Sequence, residues 1–118
     1  TDTLLAAVRD TGLPFLPGVQ TVSEAMILAE QGYRILKFFP ADAAGGVAWL
    51  KAVGAPLVGL SFCPTGGVGA ETAPAYLSLP NVGCVGGTWM LPTDAIAARD
   101  WERVERLARE ASALRPQV

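Results

Sequence analysis

Residues 33–46 read YRILKFFPADAAGG. An apolar run broken by a single lysine ends at Pro40, and a loop of small residues then leads into GGVAWLKAVG, which has helical character. This is a strand passing into a helix. Three more apolar runs flank it, LPFLPG at 13–18, LVGLSFC at 57–63 and VGCVGG at 82–87, at intervals of a little over twenty residues. Strands and helices that alternate at this spacing imply parallel strands joined by right-handed crossovers, in either a barrel or an open sheet.

The intervening helices carry their own signals. Thr21 to Glu24 (TVSE) matches the capping box, in which hydroxyl and carboxylate satisfy free amides at a helix start, and Gly32 supplies the stop. The segments 45–54 and 70–79 fit two shorter helices bounded by Gly and Pro. From Asp100 to Leu114, the residues Trp101, Val104, Leu107, Ala108, Ala111 and Leu114 fall on one stripe, which predicts an amphipathic closing helix. Four strands do not close a barrel. An eight-stranded (β/α)₈ TIM barrel takes roughly 250 residues, so in that fold this chain supplies about the last four βα units. Thr1 in place of a methionine fits an expectation that the front half lies outside the sequence.

Composition narrows the function. With 118 residues the chain suits one domain, and 51% hydrophobic against 17% charged residues suits buried strands covered by helices. A net charge of −2 and scattered arginines provide no basic stripe for nucleic acid. No apolar run approaches the roughly 18–20 residues of a membrane span, and the first ten residues lack the pattern of a signal peptide. A soluble, cytoplasmic protein is expected. Cys63 and Cys84 lie in apolar runs, where free thiols act as small hydrophobes, and no disulfide is expected. The chain contains no histidine, which excludes Ser–His and Cys–His nucleophile systems and the common histidine metal sites.

Chemistry must therefore come from Lys, Asp, Glu, Thr, Tyr or backbone groups. Of the two lysines, Lys51 lies in a helical segment and reads as a solvated side chain. Lys37 differs. Alternation places Ile35, Lys37 and Phe39 on one strand face and Leu36 and Phe38 on the other, so both faces are apolar and the ammonium is expected to be desolvated. A desolvated amine is a nucleophile towards carbonyls, as Schiff-base enzymes require. The other reading of the same pattern is a lysine that snorkels to pair with Asp42. Beyond the third and fourth runs lie Thr65-Gly66-Gly67 and Gly86-Gly87-Thr88. Glycine lets a ligand approach the backbone, and consecutive free amides form an anion nest, the usual phosphate position after late barrel strands.

Taken together, PGVQTVSEAM, KFFPADAAGG, FCPTGG and GGTWMLP, in this order and spacing, resemble the C-terminal half of the 2-keto-3-deoxy-6-phosphogluconate (KDPG) and 4-hydroxy-2-oxoglutarate (KHG) aldolase family, over essentially all of residues 1–118. The resemblance implies a class I, metal-independent aldolase with no cofactor, on a (β/α)₈ barrel and usually homotrimeric, which cleaves KDPG to pyruvate and glyceraldehyde 3-phosphate. It implies that Lys37 is the imine lysine, that Phe39 lines the pyruvate pocket and that Thr65 hydrogen-bonds the keto acid. The amides of Gly66, Gly67 and Gly87, with the hydroxyl of Thr88 where relatives often have serine, would hold the phosphate, and Gly86 is counted with them among the substrate-binding residues. The family's general-base glutamate belongs to the other half of the barrel, so no base is assigned, and Asp42 reads as a loop residue. Other readings are a KHG aldolase, a non-catalytic phosphate-binding fragment that folds with a partner segment, and a phosphate-binding barrel isomerase or decarboxylase.

Overall fold

The computed structural model describes residues 1–114. Its sheet has three parallel strands in the order β1 (Gly18–Val19), β2 (Ile35–Phe38), β3 (Ser61–Pro64). Gly18 pairs with Lys37, Lys37 with Cys63 and Phe38 with Pro64. Six helices accompany the strands: α1 (Asp2–Asp10), α2 (Val22–Glu30), α3 (Gly46–Val53), α4 (Ala73–Leu77), α5 (Thr93–Ala98) and α6 (Trp101–Ala113). The capping box is formed as the sequence predicts, with Thr21 accepting from the Glu24 amide and the Glu24 carboxylate accepting from the amide of Thr21. Those two amides would otherwise face the solvent unpaired at the start of α2.

Two helices go beyond the sequence reading. Thr1 caps α1 by accepting from the Leu4 amide, and α5 starts after Pro92 and docks on α6. Two strands are weaker than expected. The run at 13–18 contributes only its last residue, with Val19, to the sheet. The run at 82–87 touches β3 through two isolated bridges, Phe62 with Val82 and Thr65 with Gly86. Three steps along β3 match four along the partner, so this edge carries an extra residue, and such a bulge interrupts the ladder.

Helices cover one face of the sheet. Leu36, Phe38 and Phe62 are fully buried there against Ala25 and Leu28 of α2, Leu50 and Val53 of α3 and Tyr76 of α4. Trp49 joins the layers, stacking on Phe38 with centroids 4.2 Å apart and meeting Phe62 edge-on at 5.7 Å. The opposite face is open among the described residues: Ile35 is 56% exposed and Phe39 50%. This corrects the expectation that both faces of β2 are covered. Lys37 is half-buried rather than desolvated, because the packed helices all lie behind Leu36 and Phe38.

Candidate active site

The open face gathers the residues singled out in the sequence. Paired residues of adjacent strands project to the same side, so Lys37 shares its face with Cys63, and steps of two add Phe39 and Thr65. The Lys37 ammonium lies 5.0 Å from the centroid of the Phe39 ring. It forms no ion pair among the described residues, so the pairing with Asp42 that the sequence left open is not made. Asp42 turns elsewhere: its amide donates to Gly66 O at 3.0 Å, and its side chain packs over Gly67 and raises the Tyr76 phenol, after burial, by charge repulsion.

Beyond the strand ends the two glycine loops meet. The Thr65–Gly86 bridge joins them, and Thr65 O accepts from the Ala41 amide at 2.8 Å, which ties the loop after β3 to the turn after β2. Gly66 and Gly67 have φ values of +97° and +76°, a backbone that side chains other than glycine's rarely adopt. A Cβ on Gly66 would press on the Phe39 ring, and one on Gly67 would collide with Asp42. Among the described residues the amides of Gly67, Gly87 and Thr88 donate to no other group, while that of Gly66 points to Gly86 O across the bridge. Free amides in this setting can bind an anion. Gly86 is different, since its amide donates to Pro64 O at 2.9 Å.

Other features lie off this ledge. A concavity of about 590 Å³ is lined by Lys51, Val58 and Ser61 at the opposite end of the strands from the glycine loops. Cys63 and Cys84, far apart in sequence, are neighbours, a relationship that no local pattern announced. The bulge turns Cys84 to the Cys63 side, and although Cys84 keeps an exposed surface, partial desolvation first and then the neighbouring Cys63 thiol push its own thiol up to about 11. No group of three metal-ligating side chains occurs among the described residues, and none of their helices is long and apolar enough to cross a membrane.

A parallel sheet backed by helices, with its lysine, hydroxyl and glycine residues gathered at and beyond the carboxyl ends of the strands, has the layout of an α/β-barrel enzyme. Comparison with known proteins makes the class specific. The model of the KDPG and KHG aldolase family matches residues 1–107, and the chain belongs to that family. It is 51% identical over 111 residues to the 2-dehydro-3-deoxy-phosphogluconate aldolase of Pseudomonas aeruginosa, covering 94% of this chain and 50% of the relative. It is 45% identical over 111 residues to the KHG/KDPG aldolase of Escherichia coli, covering 94% and 52%. Among solved structures, the Legionella pneumophila KDPG aldolase with pyruvate captured as a covalent carbinolamine superposes with a TM-score of 0.90 at 43% identity, covering 94% of this chain and 54% of that one. The chain thus spans about half the length of the curated relatives it matches, and its fold is of their TIM-barrel type.

Proposed function

We propose that this chain carries the Schiff-base half of a class I aldolase that cleaves 2-dehydro-3-deoxy-6-phosphogluconate to pyruvate and glyceraldehyde 3-phosphate. The observation that carries the reading is the placement of Lys37, free of any carboxylate partner among the described residues, on one ledge with Thr65 and the unpaired loop amides of Gly67, Gly87 and Thr88. Lys37 Nζ adds to the C2 carbonyl of the keto acid, and loss of water gives an iminium. The iminium draws the electrons of the C3–C4 bond as that bond breaks, while the C4 hydroxyl gives up its proton to a general base and becomes the carbonyl of the departing phosphorylated aldehyde. The remaining enamine takes a proton at C3, and hydrolysis returns the amine and pyruvate. In this reading Phe39 lines the pocket for the pyruvyl methyl, Thr65 hydrogen-bonds the keto acid, and Gly66, Gly67, Gly87 and Thr88 hold the phosphate. Gly86 borders that site through Thr65.

No base is assigned to this chain, because Asp42 is committed to the loop beside Gly67. The exposed Ile35 and Phe39 support docking of the remaining barrel strands on the open face, since a half-barrel would leave this interior in water. Family likeness supports a cytoplasmic homotrimer in Entner–Doudoroff-type sugar-acid catabolism. KHG cleavage is the second reading, favoured by a relative whose name joins both substrates. The test is incubation of the full-length protein with pyruvate, reduction with borohydride and mapping of the adduct by mass spectrometry. A mass addition on Lys37 is expected, and its absence would sink the aldolase reading.

A further inference from the structure

Thr65 and Gly86 face each other across the bulged edge, and their contact is tighter than the bridge alone requires. A Cβ built on Gly86 would stand 2.5 Å from Thr65 Oγ1 and 3.1 Å from its Cγ2. The backbone at Gly86 lies outside the left-handed region, so any residue could adopt it. Its amide is already spent on Pro64 O. Neither conformation nor ligand binding through that amide accounts for a glycine here, whereas the Thr65 side chain does. The space a Cβ would fill is where the Thr65 hydroxyl sits, donating to Cys63 O at 3.3 Å.

We infer that Gly86 is a positioning residue for Thr65: its missing side chain is the seat that holds the Thr65 hydroxyl on the same face as Lys37. The inference rests on the aldolase reading for the role of Thr65, and extends it to a residue with no direct contact to substrate. An alanine at 86 must drive the hydroxyl out of this rotamer or push the fourth run off β3. Displacing a group that orients a reactant by about an ångström costs up to roughly a hundredfold in rate.

The test is a double-mutant cycle on the full-length protein with Gly86→Ala, Thr65→Ala and the pair, read by the rate of borohydride-trapped pyruvate on Lys37 and by thermal unfolding. Once Thr65 is cut back to alanine, its nearest remaining atom is Cβ, 3.3 Å from the new methyl, which small adjustments accommodate. Gly86→Ala alone is expected to slow trapping by about tenfold or more, and to add nothing once Thr65 is alanine. If Gly86→Ala alone fails to fold, recovery of a folded protein in the pair supports the inference, and failure to recover overturns it. Independent, additive losses, or an unaffected single variant, also overturn it. An absence of any adduct in the unsubstituted protein is a distinct result, which removes the aldolase reading itself.

Discussion

The Lys37 ammonium rests 5.0 Å from the centre of the Phe39 ring, two residues further along the same edge of the chain. An aromatic face attracts a cation weakly in such partly exposed settings, by about 0.5–1 kcal/mol. Lys37 is therefore held near the strand ends without a carboxylate that would keep it from a carbonyl. Replacement by arginine preserves the charge and the stacking but cannot form an imine. Lys37→Arg is expected to abolish both the trapped pyruvate adduct and aldol cleavage while leaving the unfolding midpoint nearly unchanged. Turnover in the variant would assign the chemistry to another group.

The phosphate loops make a separate prediction. Thr88→Asp sets a negative charge beside the free amides of Gly87 and Thr88. Its repulsion of a phosphate, on the order of 1.4 kcal/mol, corresponds to about a tenfold rise in KM for phosphorylated keto acids. Unphosphorylated substrates are expected to change little. Equal losses for both, measured by steady-state kinetics, would remove phosphate from this ledge.

Gly67 tests the local backbone. Its φ of +76° disfavours any residue with a Cβ, and that atom would collide with the Asp42 side chain. Gly67→Ala is expected to cost about 2 kcal/mol or more in a denaturant titration. Asp42→Gly in the same protein relieves the collision but not the dihedral, so a partial recovery is expected.

The cap of α2 gives a pH dependence. Hydrogen bonds from the backbone amides of Gln20 and Thr21 hold the Glu24 carboxyl below its ordinary value. A group whose pKa is lower folded than unfolded stabilises above the unfolded value, and that stability is lost as pH falls through the folded one. The advantage of the natural protein over Glu24→Gln, read as a difference in urea midpoint, is therefore expected to be full at about pH 6 and to shrink progressively as pH falls below the ordinary glutamate value of about 4.3. Thr21→Ala, which removes the other half of the cap and the hydroxyl's hydrogen bond to the Glu24 carboxylate, is expected to cost about 0.5–2 kcal/mol at about pH 6.

Much of this protein was legible in its residues because the signals are local. The capping box, the glycine stop after α2, the apolar stripe of α6 and the alternation around Lys37 each depend on neighbours within a turn or two of chain. The two helices beyond the sequence reading, α1 and α5, are no shorter than α4; what they lack is the reciprocal capping box of α2, since α1 is capped by Thr1 alone and α5 has no side-chain cap. The company of KFFPA, FCPTGG and GGTW announced the family before any contact was known.

Tertiary structure alone decided what surrounds those residues. Alternation could place Lys37 opposite Leu36, but which side the helices cover is a matter of packing between distant segments, and it left the Lys37 face open. The choice between Asp42 and no partner for that lysine depended on where the loop after β2 is pinned, by Thr65 O and Gly66 O, contacts more than twenty residues away in sequence. The same holds for Cys63 beside Cys84 and for Thr65 seated against Gly86. Each follows from one extra residue in a parallel edge, a register that the chain sets only when the strands meet.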